Sequence, residues 1–105
     1  MKIITPGHRY ELENFELEDQ PGQVIHFIEK KPMNPETPTE LFTVNDGTTN
    51  EEVLAVLIDR LNYLNTKFPC RENSIAVTHI ETALLWLNKR TADRVARGVE
   101  GKAVK

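Results

Sequence analysis

Residues 68–101, FPCRENSIAVTHIETALLWLNKRTADRVARGVEG, decide the fold, because they contain a helix start, a long helical run and a helix stop. Pro69 cannot continue a helix that precedes it, but it is well suited to the start of the next one. We therefore predict a helix from about Arg71 to about Arg97. Gly98 is the expected left-handed residue after the last turn, and the valine after it completes the pattern of a Schellman-type ending.

The sequence before this stretch predicts an earlier helix, from about residue 50 to about residue 67. Thr49 and Glu52 have the spacing of a capping box, and acidic residues in a first turn suit the helix macrodipole. The apolar residues of this segment recur at helical intervals: Val53, Leu54, Val56, Leu57, Leu61 and Leu64. Because only a short segment separates the two helices, residues 48–101 are predicted to form a helical hairpin.

Short β-strands are predicted in the N-terminal part. The runs RYELENFEL (9–17) and QVIHFIEK (23–30) flank a Pro-Gly turn at 20–22, as in a β-hairpin. The segment KPMNPETP (31–38) carries three prolines and predicts a loop, and ELFTV (40–44) is a candidate third strand.

These elements predict an α+β fold, with a short N-terminal antiparallel β segment followed by a C-terminal two-helix hairpin. The predicted boundaries are 1–47 for the β-rich segment with its Pro-rich loop, 48–101 for the hairpin and 102–105 for a frayed tail. A chain of 105 residues favours one compact domain with a modest core. No apolar run approaches the roughly 20 residues that span a bilayer, and the N-terminus has no signal-peptide pattern. A soluble protein is expected.

The net charge of −3 is divided unevenly along the chain. Residues 1–70 carry a charge of −6 and residues 71–105 a charge of +3. The acidic part argues against general binding to nucleic acid, whereas the basic part could hold a small anion. The single cysteine, Cys70, permits no internal disulfide and fits a reducing compartment.

Two apolar surfaces are expected on the hairpin. One stripe of the second helix is suited to packing on the first helix: Val77, Ile80, Ala83, Leu84 and Leu87. Leu85 and Trp86 lie outside that stripe, and Val56 and Ile58 flank the main stripe of the first helix. Two helices alone cannot bury all of these residues, so other subunits are expected to cover part of them. The alternative is a monomer in which the N-terminal sheet covers them.

A polar line also runs along the second helix. Ser74, Thr78 and Thr82 are spaced four apart and therefore face the same way. This line is either a solvated helix face or a row of donors that faces a ligand. In the second case the free N–H groups at the helix start suit a phosphate, and Arg71 could add a bidentate contact. Phe68 could stack on a base, although packing over the turn is the simpler interpretation.

No enzyme chemistry is indicated by the sequence. The histidines, His8, His26 and His79, lack the spacing of a metal site. Cys70 lies beside an arginine at a helix start, but neither a base nor an oxyanion hole is signalled. No Gly-rich phosphate loop of known spacing is present. We expect no catalytic residue, no metal and no cofactor.

The segment FPCRENSIAVTHIETALLWLNKRTADR resembles the signature of a family of small phage proteins, the anti-CBASS and Thoeris anti-defence sponges. In that signature an Arg-Glu-(Asn or Gln) opens the second helix, a threonine follows about seven residues later, and an acidic-Ala-x-x-Trp segment comes next. The positions that carry the resemblance are Arg71, Glu72, Asn73, Thr78, Glu81, Ala83 and Trp86. The resemblance covers residues 48–101, and the β-rich N-terminal segment favours the Thoeris type.

The resemblance implies a phage anti-defence protein in the host cytoplasm. Such a protein would bind cyclic ADP-ribose isomers, cyclic dinucleotides or cyclic trinucleotides without cleaving them. It also implies a homo-oligomer, a hexamer, with pockets between subunits, and no membrane, DNA or RNA partner. The ligand-binding residues it suggests are Phe68, Arg71, Asn73, Ser74, Thr78, Thr82, Arg90 and Arg94.

Two other functions stay open at this point. The first is a small structural or regulatory phage protein that acts through protein–protein contacts made by Trp86 and the hairpin. The second is a nucleic-acid binder that uses the basic C-terminal part, which the acidic first half makes the weakest of the three.

Overall fold

The computed structural model describes all residues, 1–105, and the chain divides into two compact units. Unit 1 comprises Met1–Thr49 and unit 2 comprises Asn50–Lys105. Chain length alone favoured one domain, whereas each unit has its own set of elements. The observed class is the predicted one, α+β, with antiparallel strands followed by a two-helix hairpin.

Unit 1 contains five short strands in two antiparallel sheets. Their bounds are β1 (Lys2–Thr5), β2 (Arg9–Leu12), β3 (Gln23–His26), β4 (Glu29–Pro32) and β5 (Leu41–Asn45). The first sheet has the order β1-β2-β3, and the second pairs β4 with β5. Residue Tyr10 of β2 is the partner of Ile3 in β1 and of Ile25 in β3. The ring of Tyr10 also meets that of Phe27 edge-on, with centroids 6.0 Å apart.

The strand predicted over 9–17 is wrong in length, because β2 ends at Leu12. The amide of Asn14 donates to the carbonyls of Leu17, Gln20 and Pro21, and its Oδ1 accepts from Gln23. An asparagine side chain that binds backbone groups in this way competes with strand pairing and favours a loop. The turn predicted at 20–22 lies earlier in the structure, because the Gln20 N–H donates to the Leu17 carbonyl at 3.0 Å and closes a turn over 17–20. Pro21 and Gly22 then lead into β3.

Glycine is required at position 22. A Cβ built there would lie 1.6 Å from the carbonyl oxygen of Leu12, so no side chain fits between the loop and β2. The close approach explains why Pro21 is followed by glycine at the point where the loop returns to the sheet.

The run predicted as one strand over 23–30 is two strands, β3 and β4, in different sheets. Between them, Phe27 pairs with Thr48 in a parallel bridge, and the Thr48 N–H donates to the His26 carbonyl at 2.8 Å. Gly47 makes this possible, because a Cβ there would lie 2.3 Å from the His26 oxygen. The candidate strand at 40–44 is confirmed as β5, and strand β1 was not predicted.

Unit 2 is the predicted helical hairpin. Helix α1 is Asn50–Lys67 and helix α2 is Arg71–Ala96, so both predicted helices are confirmed to within one residue. Gly98 has a φ of 72°, and Val99 N–H donates to the Arg94 carbonyl at 3.0 Å while Gly98 N–H donates to that of Val95. These two bonds are the Schellman ending that the sequence predicted.

The interface between α1 and α2 is thin. Val77 is the buried apolar residue of the hairpin, and Ile80, Leu84 and Leu87 from the predicted stripe are half-buried. Ala83, which was predicted to share that stripe, is exposed. Neither helix is long and apolar enough to cross a membrane.

Candidate functional site

The turn between the helices is fixed by one asparagine of α1. Asn65 Oδ1 accepts from the Cys70 backbone N–H at 2.8 Å, and its Nδ2 donates to Ser74 Oγ at 3.0 Å. Cys70 is the N-cap of α2, and its sulfur accepts from the Asn73 N–H at 3.4 Å. Asn65 thus joins α1 to the first turn of α2, a role that the sequence analysis missed because asparagine in a helix gives no distinctive signal.

Arg71 opens α2 with its side chain exposed and without an ion pair. The free N–H groups of a helix start and an unpaired guanidinium together favour the binding of an anion. Phe68, three residues before Arg71, is 81% exposed. The interpretation that its ring packs over the turn between the helices is therefore wrong. An aromatic ring this exposed is available for stacking.

The three hydroxyl groups of the polar line are hydrogen-bonded to their own helix. Ser74 Oγ donates to the Cys70 carbonyl, Thr78 Oγ1 to that of Ser74 at 3.1 Å, and Thr82 Oγ1 to that of Thr78 at 2.8 Å. Each hydroxyl has one proton and two lone pairs. The predicted row of donors is therefore a row of acceptors in this conformation, on an exposed face of α2.

An exposed apolar surface lies along the same hairpin. Leu85 and Trp86 are 69% and 66% exposed, and Leu85 lines an open groove of ≈ 500 Å³ between the helices. The groove is lined by Ala55, Ile58, Asp59, Asn62, Glu81, Leu84, Leu85 and Asn88. Of the residues expected to be left over by helix packing, Val56, Leu85 and Trp86 are exposed and Ile58 is half-buried. Their exposure indicates a surface that can accept a partner.

The other end of α2 carries most of the basic residues of unit 2. A surface depression of ≈ 250 Å³ is lined by Trp86, Lys89, Arg90, Asp93, Arg94, Arg97 and Lys105. Lys89 is paired with Asp93 at 2.8 Å, whereas Arg90, one of the predicted ligand-binding residues, is exposed and has no ion pair. Arg90 is thus placed where it could bind an anion.

Arg94, also one of the predicted ligand-binding residues, is placed differently from Arg90. It is only 4% exposed, and its guanidinium donates to Glu100 and to the carbonyls of Val99, Lys102 and Val104. We call residues 98–105 the strap. The guanidinium of Arg94 is occupied by the strap, so it is not free to bind a ligand in this conformation. The strap includes residues 102–105, for which a frayed tail was expected, and the carbonyls of Lys102 and Val104 accept from Arg94.

The predicted site residues therefore fall into two groups. Phe68, Arg71, Asn73, Ser74, Thr78 and Thr82 lie along the first three turns of α2 and the turn before it, whereas Arg90 and Arg94 lie at its far end. No group of three or more His, Cys, Asp or Glu side chains is arranged to hold a metal ion. The first group combines a cation, acceptors and an aromatic ring, which is a set suited to a nucleotide.

Comparison with known proteins adds two findings. The family model described as "Acb2/Tad1, hairpin domain" matches residues 30–92, a range that includes Arg71 and Arg90 and ends before Arg94. A protein of Bacillus phage SBSphiJ7, Thoeris anti-defense 1, is 56% identical to the chain over 57 residues. The aligned part is 53% of this chain and 40% of the phage protein, so the chain spans less than half the length of this relative.

Proposed function

Because the chain belongs to the family of the Acb2/Tad1 hairpin domain, we propose that it is a phage anti-defence protein that captures a signalling cyclic nucleotide and does not cleave it. The ligand class is a cyclic ADP-ribose isomer or a cyclic di- or trinucleotide, bound in the host cytoplasm. The name of the phage relative, Thoeris anti-defense 1, favours a messenger of the Thoeris system.

The observation that carries this proposal is the exposed polar face at the start of α2. Arg71 is an unpaired cation there, and Ser74, Thr78 and Thr82 come after it at four-residue intervals from one another. From Arg71 to Thr82 the helix rises about 16 Å at 1.5 Å per residue. A nucleotide could lie along this line with its phosphate at Arg71 and its sugar and base toward Thr82.

The hydroxyl groups would then serve as acceptors. A phosphodiester has no hydrogen to donate, so it cannot bond to a hydroxyl whose proton is already given to the helix. Ribose hydroxyls and the amino group of adenine are donors, and they can bond to the free lone pairs of Thr78 and Thr82. In this arrangement Arg71 binds the phosphate, Phe68 stacks on the base and the threonines accept from the nucleoside.

Tight capture also requires burial, which one hairpin does not supply. An affinity near nanomolar corresponds to about −12 kcal/mol, and exposed charge contacts contribute only about 0–1 kcal/mol each. We propose that further copies of the chain cover the exposed face, using Leu85, Trp86 and the apolar groove, to form a homo-oligomer, a hexamer. A binding pocket between subunits would then exclude water and bring several copies of Arg71 together.

Native mass spectrometry tests the function directly. The protein is measured alone and with cyclic di- and trinucleotides and with cyclic ADP-ribose isomers. The expected result is an oligomer that gains the mass of an intact ligand. An assembly that gains no ligand from this panel would contradict the proposal. It would favour the alternative, a phage protein that acts through protein–protein contacts made by Trp86. The observation that supports this alternative is the 66% exposure of Trp86.

The role of Arg71 has its own test. Arg71→Ala is expected to weaken ligand binding by about 100-fold or more, because several symmetry-related charge-assisted bonds are lost at once. The same substitution at Arg60, an exposed arginine of α1, is the matched control and should leave affinity unchanged. Isothermal titration and the mass of the assembly are measured together, and unchanged affinity of an intact Arg71→Ala oligomer would overturn the assignment.

A further inference from the structure

We propose that Arg94 is a positioning residue. Its guanidinium holds the strap (residues 98–105) in a folded state, and the strap brings Lys105 to the depression at the end of α2, where Arg90, Arg97 and Lys105 bind a phosphate group. The phosphate would belong to a further nucleotide of the class named in the proposed function, so the phosphate part rests on that proposal. It is not the phosphate at Arg71, which lies about 28 Å away along α2. The holding of the strap by Arg94 does not depend on it.

The hydrogen bonds of Arg94 all lead to the strap. Nε donates to Glu100 Oε2 at 3.2 Å, and Nη2 donates to the carbonyls of Val99 at 2.9 Å and Lys102 at 2.6 Å. Nη1 donates to the carbonyl of Val104. Four of the five N–H groups of a guanidinium are thus used within six consecutive residues. One side chain therefore binds three backbone carbonyls of the strap, and of these the Val99 carbonyl also accepts from an N–H of the strap itself.

The backbone of the strap is shaped to reach Arg94. Gly98 and Gly101 have φ values of 72° and 81°, a region that glycine enters without strain. The first reversal ends α2 and turns the chain back, and the second comes directly after Glu100. A turn bond from Lys102 N–H to the Val99 carbonyl, at 3.1 Å, closes the loop between them. These local features allow the carbonyls of the strap to converge on one guanidinium.

The cations that line the depression differ in whether they have an ion pair. Lys89 is neutralised by Asp93 at 2.8 Å, and Arg94 is paired with Glu100 at 3.2 Å. Arg90, Arg97 and Lys105 have no ion pair, and all three line the same space of ≈ 250 Å³ beside Trp86. Three unpaired cations around a small concave surface favour an anion, and two arginines can each bind a phosphate through two N–H groups. Lys105 comes from the strap, so this set is complete only while the strap is folded.

Arg94 itself is not proposed to touch the phosphate. Four of its five N–H groups are already used, and a phosphate could reach those four only by displacing their partners in the strap. Its effect on an anion is therefore indirect and passes through Lys105. This distinguishes Arg94 from Arg90, which lies four residues earlier and is free to bind.

Hydrogen exchange tests the strap without any ligand. The amide of Lys102, which donates to Val99, is expected to be protected in the wild-type chain and to lose about tenfold or more of that protection in Arg94→Lys. Lysine keeps the positive charge, but its single ammonium nitrogen cannot donate to the four separate acceptors that the guanidinium binds. Arg60→Lys on α1 is the matched control and should change nothing. Equal protection in Arg94→Lys and the wild type would overturn the role of Arg94.

A double-mutant cycle with inorganic pyrophosphate tests the anion site. Arg94→Lys and Lys105→Ala are each expected to weaken pyrophosphate binding by about fivefold, and the double variant to be no weaker than either single variant, because Arg94 acts through Lys105. Additive losses, or a loss in Arg94→Lys alone, would overturn the positioning role. No binding of pyrophosphate by the wild type would overturn the anion site.

The two proposals fail in different ways. If intact cyclic nucleotide is captured but pyrophosphate binding does not depend on Lys105, the further inference is wrong and the proposed function stands. If pyrophosphate binding obeys the cycle but no cyclic nucleotide adds mass to the assembly, the anion site stands and the identity of the captured ligand is wrong.

Discussion

The two ends of α2 carry arginines that look alike in the sequence and differ in the structure. Arg71 opens the helix, is exposed and has no ion pair, whereas Arg94 lies near its end, is 4% exposed and is hydrogen-bonded to four groups of the strap. Both were predicted to bind a ligand. The comparison shows that a cation is available to a ligand only when the chain around it leaves its donors unused.

The difference arises from the backbone on the C-terminal side of each arginine. After Arg71 the chain is helical, and helical carbonyls bond to the N–H groups four residues on, so they do not compete for a guanidinium. After Arg94 the helix ends within three residues, and the last carbonyls of a helix and those of an irregular segment need partners. Arg94 supplies them. At this helix end, the guanidinium of a candidate binding residue is thus hydrogen-bonded to the segment that follows.

The sharpest way to break this comparison is to remove each arginine in turn. Arg94→Ala is expected to lower the free energy of unfolding by about 2 kcal/mol, because hydrogen bonds to a charged donor are lost and the strap is released. Arg71→Ala is expected to change it by less than about 0.5 kcal/mol, as for other exposed substitutions. Urea unfolding at one fixed protein concentration measures both, since association would shift apparent stability.

Equal effects on stability would contradict the contrast between the two arginines. A large effect of Arg71→Ala would mean that this residue is structural, and its role in ligand binding would then need a different explanation. A small effect of Arg94→Ala would mean that the strap contributes little to unit 2 even though it contacts a buried guanidinium.

The parts of the fold that depend on local signals could be predicted from the sequence. Pro69 and Gly98 mark the end of α1 and of α2 through properties of their own backbone, so both helices were predicted to within one residue. The strands depend on distant partners. The end of β2 is set by Asn14 and by the close approach of Gly22 to Leu12, and neither is visible as a local pattern.

The candidate site was predictable to a similar degree. Residue type and spacing were sufficient to place Arg71, Thr78 and Thr82 on one exposed face. They were not sufficient for the burial of Arg94, because three of its four partners are backbone carbonyls, which every residue carries. The direction in which the threonine hydroxyls donate was likewise a property of the folded helix and not of the sequence pattern.

A smaller effect is expected at the first end of α2, where Asn65 fixes the turn. Asn65→Ala removes the bonds to the Cys70 N–H and to Ser74 Oγ, and it is expected to cost about 1 kcal/mol. Arg60→Ala is the control, because Arg60 is an exposed residue of the same helix that has no ion pair and does not line the apolar groove. Thermal unfolding of the two variants compares them.

Asn65→Ala also tests whether Arg71 and Arg94, at opposite ends of α2, act independently. If the turn holds Arg71 in place for a ligand, this variant should weaken ligand binding by more than its loss of stability alone explains, while leaving exchange of the strap unchanged. A variant that loosens both ends of α2 together would show that the ends are coupled, and the two arginines could then not be treated as independent.

The smallest effect concerns the other buried charge, Glu29 in β4, which is 6% exposed. A hydrogen bond from Asn45 Nδ2, at 3.3 Å, lowers the pKa of the Glu29 carboxyl below its ordinary value of 4.5, with a contribution from Lys31 at 3.4 Å, while burial acts in the opposite direction. Because the folded pKa is below the unfolded one, the carboxylate stabilises the fold above about pH 4.5, and this contribution is lost as the pH falls through the folded pKa.

Urea unfolding between about pH 3 and pH 7 measures this contribution of Glu29. The stabilities of the wild type and of Glu29→Gln should differ at neutral pH and approach each other in acid, because the wild-type carboxylate is neutralised there. Glu16→Gln, at an exposed carboxylate without an ion pair, is the control and should match the wild type throughout. If the plots of unfolding free energy against pH for Glu29→Gln and the wild type stay parallel over the whole range, the prediction is contradicted. Glu29 would then be buried without stabilisation of its carboxylate by Asn45 and Lys31, in contrast to Arg94 and its partners.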